Sequence, residues 1–77
     1  MPHVIVKLYP GRDEGTLNKL ANEIMKNVVS IAGCEEKVVS VAIEEVDPSD
    51  WPETVYKPDI MEKEETLIIK PGYNPFE

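Results

Sequence analysis

Cysteine, histidine and tryptophan each occur once in this chain of 77 residues, and glycine only four times. A lone Cys34 cannot close an internal disulfide, which fits a reducing, cytoplasmic setting. No His or Asp pattern surrounds it, so it reads as an ordinary thiol near a helix end rather than a nucleophile. No apolar run approaches the length of a membrane span, and the first residues lack the apolar core of a secretion signal. Basic residues are scarce as well. Eight Lys and Arg stand against fifteen Asp and Glu, a net charge of −7, which is the wrong sign for nucleic acid. Neither a membrane nor a nucleic-acid partner is expected. The length fits a single domain over residues 1–77, with a limited core and no disulfide or metal cluster to reinforce it.

What charge there is falls unevenly. Residues 1–12 carry Lys7 and Arg12 with no acid, whereas residues 44–65 carry nine acids against Lys57 and Lys63. The acidic half reads as a solvated, solubilising surface, and the locally basic start suits a small anionic ligand. Residues 4–9 alternate Val4, Val6 and Leu8 with Ile5, Lys7 and Tyr9, the period of a strand. Pro10 and Gly11 stop it. Asp13 is the expected N-cap of a helix whose apolar residues fall at 17, 20, 21, 24, 28 and 31, and Gly33 is its expected end. Residues 38–46 read as a second strand, closed by Asp47-Pro48. Ser49-Asp50-Trp51 opens a short helical turn through Tyr56, and Pro58 is expected to break the chain. The tail reads as helical over 61–65, as strand over 67–69 and as a turn at Pro71-Gly72.

Two strands joined by one helix give a parallel β-α-β unit of the α/β class, with the short helical turn and C-terminal tail appended. A two-stranded sheet with one helix leaves a sheet face and two edges uncovered. The sheet is therefore expected to be completed by oligomerisation, most simply in a homodimer.

The chemistry sits at the start of the chain. If Met1 is removed, Pro2 becomes the terminus and carries a free secondary amine on a rigid ring, held by the strand that follows at once. The Pro10-Gly11-Arg12 turn brings a guanidinium to the other end of the strand, an anion-binding fork expected near the base. The purely structural readings of these residues are a stiff lead-in for Pro2 and a surface cation for Arg12. By the same standard Trp51 anchors the loop after the second strand, and Tyr9, Tyr56 and Tyr73 are packing or interface residues rather than acids. His3 lines the strand edge, although as the only histidine it also invites a proton-shuttle role.

Met1-Pro2-His3-Val4, Pro10-Gly11-Arg12, residues 39–46 with Pro48-Ser49-Asp50-Trp51, and Lys70-Pro71-Gly72-Tyr73 form an ordered set. With them the chain resembles the 4-oxalocrotonate tautomerase superfamily, and most of all its dimeric bacterial members acting on phenylpyruvate-type enols. The resemblance implies a tautomerase-like fold with Pro2 as catalytic base. It further implies Arg12, Ser40 and Trp51 as substrate-binding residues, Arg12 holding a carboxylate and Trp51 walling the site. Ser40 stands where the crotonate enzyme has a second arginine, which favours a monocarboxylate with an aromatic or apolar side over a dicarboxylate. A dimer is implied before a hexamer.

Tautomerisation of this kind moves one proton, so a single base can take and return it with no metal or cofactor. The base must be neutral near the working pH. An α-amine titrates near about 7.7–8.0, and apolar or cationic surroundings push that value down. Two alternatives stay open. A hydratase or dehalogenase of the same superfamily would use a protonated Pro2 as acid, although the paired arginines and activating glutamate of such members are not evident. A non-catalytic, oligomeric binding domain would keep the fold alone.

Overall fold

Strand β1 (His3–Leu8) lies parallel to strand β2 (Ser40–Glu45), with His3 opposite Ser40 and Leu8 opposite Glu45. The computed structural model describes all of residues 1–77, which form two units, residues 1–45 and 46–77. β1 keeps the expected alternation: Val4 and Val6 are half-buried beside Val41 and Ile43, while Ile5 is 52% exposed. β2 begins later than expected. Val38 closes a 3₁₀ turn (Glu36–Val38), and the Val39 N–H is spent on the Glu36 carbonyl. The first ladder bond runs from the Ser40 N–H to the Pro2 carbonyl at 3.2 Å.

Helix α1 (Glu14–Ala32) connects the strands and starts and ends where the sequence indicates. The Asp13 carboxylate accepts from the Thr16 N–H at 2.7 Å, and Gly33 closes the helix in the left-handed conformation, its N–H on the Val29 carbonyl. Glycine adopts that φ without the clash a Cβ introduces. Leu17, Leu20, Ala21, Ile24 and Val28 are half-buried, but Ile31, on the same stripe by spacing, is 83% exposed. Nothing in residues 1–45 covers Ile31.

The bonds at Asp13 set a pH dependence. The Thr16 backbone N–H, then its hydroxyl, hold the Asp13 carboxyl below its ordinary pKa. The folded chain thus binds this proton less readily than the unfolded chain, and the stabilisation is complete above the ordinary carboxylate range. It fades as the pH falls through the lowered folded value. Denaturant titrations of Asp13→Asn should show the cap retained and this acid-side loss reduced, because asparagine caps without titrating. An acid limb identical to that of the unsubstituted chain would assign it to other carboxylates.

In residues 46–77, Asp47 ends the run after β2 by taking the Ser49 hydroxyl and N–H on one oxygen, at 2.7 and 2.9 Å. From Pro52 to Met61 the chain then coils as a π-helix, straight through Pro58. The expected break does not occur. Proline lacks an N–H, and its ring collides with the carbonyl four residues back in α geometry. The wider turn, with the Glu62 N–H on the Lys57 carbonyl five residues back, carries the backbone past it. Val55 and Tyr56 on this helix are the only buried residues in the chain. Around them, the Tyr56 hydroxyl donates to the Tyr73 carbonyl at 2.9 Å, and the Tyr73 and Phe76 rings pack at 5.3 and 6.0 Å. Tyr56 and Tyr73 pack against each other here, whereas Tyr9 is 47% exposed.

The tail differs from expectation in one more respect. Met61 ends the π-helix and a 3₁₀ turn covers Glu64–Thr66, so residues 61–65 are coiled only in part. Residues 67–69 form no strand, and Ile68 and Ile69 are 98% and 87% exposed. An extended segment without a neighbour has no ladder to join. No helix is long and apolar enough to cross a membrane.

Candidate active site

Pro2 is half-buried, and the β1–β2 ladder holds it by its own carbonyl rather than leaving it as a frayed end. Met1 before it is fully exposed. While Met1 is attached, the Pro2 nitrogen is an amide without a basic lone pair; once it is gone, the ring nitrogen is a secondary amine at the head of a paired strand. Ser40 faces this end of the strand. Its hydroxyl lies 2.6 Å from His3 Nδ1, a contact in which either group can donate, depending on the imidazole tautomer. This pairing is not legible in residue order, because it depends on which residues the strand register sets side by side.

Arg12 is placed by the turn after β1. Gly11 sits at φ +130°, a region that residues with a Cβ avoid, and Arg12 Nη1 donates to the Tyr9 carbonyl at 3.3 Å. That bond occupies one N–H and leaves the rest of the exposed fork for an anion. A Cβ on Gly11 would meet nothing within 4 Å, so Gly11→Ala should act through backbone strain alone, at about 1–3 kcal/mol. The loss of stability should come with a raised KM for a carboxylate substrate as the fork moves. A variant with unchanged KM would show that Arg12 is placed independently of this turn.

The fork is not near the base within one chain, contrary to expectation. At roughly 3.3 Å per residue, the extended strand between Pro2 and Tyr9 puts them on the order of 20 Å apart. That exceeds the reach of a small carboxylate. Sequence proximity misleads here because a strand is the most extended path between its ends.

Trp51 belongs to the second unit, where its indole N–H donates to the Tyr73 hydroxyl at 2.9 Å. The bond fixes one edge of the half-buried ring. Elsewhere in that unit a groove of about 310 Å³ is lined by Tyr56, Ile60, Met61, Leu67 and Asn74 together with Glu64 and Lys70, which pair with each other at 3.5 Å. It contains none of Pro2, Arg12, Ser40 or Trp51.

Comparison with known proteins adds the family. Residues 2–52 match the family model described as tautomerase enzyme. A probable tautomerase of Xylella fastidiosa is 40% identical over 73 residues, covering 95% of this chain and 89% of that protein. Tautomerase PptA of Cronobacter sakazakii is 39% identical over 75 residues, covering 95% and 97%. Among solved structures, TomN, a 4-oxalocrotonate tautomerase homologue in the tomaymycin biosynthetic pathway, superposes with a TM-score of 0.63 at 26% identity, over 65% of this chain and 77% of that one. The β-α-β arrangement, the match opening on Pro2 and the near-full-length relatives agree: the chain belongs to the tautomerase family of enzymes, isomerases that interconvert keto and enol forms.

Proposed function

We propose that residues 1–77 act as one functional domain, a cofactor-independent cytoplasmic tautomerase of small 2-oxo and enol monocarboxylates of the phenylpyruvate type. The free amine of Pro2 is the general base. It takes the enol hydroxyl proton and returns a proton to the neighbouring carbon, so the carbonyl forms with no net change in the atoms of substrate or enzyme. Arg12 holds the carboxylate and offsets the negative charge that develops on the enolate. Trp51 is assigned to the apolar end of the substrate. Ser40 borders the base, and with no arginine in its place a second carboxylate has no partner there. The observation that carries this reading is the ladder bond on the Pro2 carbonyl, which ties the residue bearing the ring nitrogen to the sheet once Met1 is removed.

The working unit is a homodimer, and each site takes Pro2 from one copy and Arg12 from the other. Two observations support this. The length of β1 separates base and fork within a chain, and the surface is too large for a monomer. The chain exposes 5815 Å²; a folded monomer of 8.7 kDa exposes about 4,700 Å². The surplus of about 1,100 Å² is comparable to the roughly 800 Å² that each partner buries in a standard interface. Ile5, Ile31, Ile68 and Ile69 are the apolar side chains awaiting cover.

An ultraviolet assay of phenylenolpyruvate ketonisation tests the activity, on protein whose proline terminus is verified by mass spectrometry. Turnover no faster than the buffer-catalysed rate would reject it. Sedimentation separates assemblies of two and six times the chain mass.

A further inference from the structure

Ser40 grips the head of β1 at two points. Its N–H donates to the Pro2 carbonyl at 3.2 Å, and its hydroxyl meets His3 Nδ1 at 2.6 Å across the register pair His3–Ser40. The peptide plane between Pro2 and His3 is thereby held on both sides: at the carbonyl that leaves Pro2, and at the side chain of the residue that follows. We infer that His3 and Ser40 form a cross-strand clamp that positions the Pro2 ring, a role that rests on the reading of Pro2 as the base.

Chain ends fray unless something ties them down. After Met1 is removed, no covalent neighbour restrains Pro2 on its amino side. Rotation of the peptide plane between Pro2 and His3, as the strand end frays, would carry the ring nitrogen away from a substrate carbon. The ladder bond opposes that rotation directly, and the His3 contact opposes it from the next residue. The hydroxyl is suited to this task because it can donate to a neutral Nδ1 or accept from a protonated one, so the clamp holds in either charge state of His3. It also commits the Ser40 hydroxyl to the protein. Ser40 is therefore a positioning residue and His3 its partner, and the only histidine acts without shuttling a proton.

The test uses full chains with verified Pro2 termini. Misplacing a reacting group acts on the chemical step, so Ser40→Ala and His3→Ala should each lower kcat by about tenfold with KM changed by less than about twofold. Ser40→Thr keeps the hydroxyl, and His3→Asn keeps a polar atom near the position of Nδ1; both should recover most of the loss. The double variant His3→Ala/Ser40→Ala should be no slower than either single one. A raised KM at unchanged kcat, or Ser40→Thr as slow as Ser40→Ala, would overturn the clamp. Amide hydrogen exchange reads it without turnover. The residue 40 amide should exchange about tenfold faster in His3→Ala, with the Ile43 amide unaffected. If the unsubstituted chain has no tautomerase activity, the base reading fails while this exchange result still decides the clamp, and unchanged exchange at residue 40 rejects it.

Discussion

Two preparations of this chain, one beginning at a free Pro2 and one retaining Met1, are expected to differ about 10²- to 10⁴-fold in kcat for enol ketonisation, the usual worth of a positioned general base. The difference follows from bonding alone. Acylation by Met1 draws the nitrogen lone pair into the peptide bond, and nothing else at the head of β1 replaces it. Pro2→Ala, with Met1 removed, should fall between the two. Its primary amine keeps a lone pair but loses the ring that aims it, while the ladder bond to the residue 2 carbonyl remains possible and the fold is retained. The readout is the ultraviolet progress curve, with the terminus of each preparation established by intact mass and the fold by circular dichroism. Equal rates with and without Met1 would remove Pro2 from the mechanism and leave the family assignment standing on the fold.

Mixing two impaired variants should restore activity. Pro2→Ala has a poorly aimed base in both sites of its dimer, and Arg12→Ala lacks the carboxylate fork in both. If each site draws on two copies, a mixed dimer places both lesions in one site and leaves the other intact. Random exchange makes half the dimers mixed, each with one good site, so activity should recover to about a quarter of the unsubstituted value. If base and fork came from the same copy, every site would carry one lesion and mixing would restore nothing. Each variant must be mixed under conditions that allow subunits to exchange, and recovery should follow that exchange in time. Arg12→Ala alone should lose about 10²- to 10³-fold in kcat/KM, as expected for a donor to developing oxyanion charge. Arg12→Lys should recover only part of it, since an ammonium cannot bind a carboxylate through two parallel bonds.

The same interface bears on stability. With only Val55 and Tyr56 buried and no side chain fully so, the chain lacks the core that ordinarily holds a domain together. Folding and association should be linked, and the denaturation midpoint should rise with protein concentration.

Much of this molecule is written locally in its residues. Helix α1 could be drawn from end to end because its signals are short-range: an Asp13 cap, apolar spacing near 3.6 residues and a left-handed Gly33. The alternation along β1 and the parallel pairing of two strands around one helix follow from the same kind of rule, as does Pro2 as the unusual acid–base group. The π-helix through Pro58 and the unpaired residues 67–69 were not readable, since one depends on a rare coil widening and the other on whether a neighbour exists. The site divides in the same way. Residue types and their order named Pro2 and Arg12, and the family resemblance added Ser40 and Trp51. Register set Ser40 against His3 and the Pro2 carbonyl, and strand length set Arg12 out of reach of the base in its own chain. Such distances are properties of the folded backbone, which brings residues 37 positions apart into contact and holds residues 10 positions apart beyond the span of a substrate.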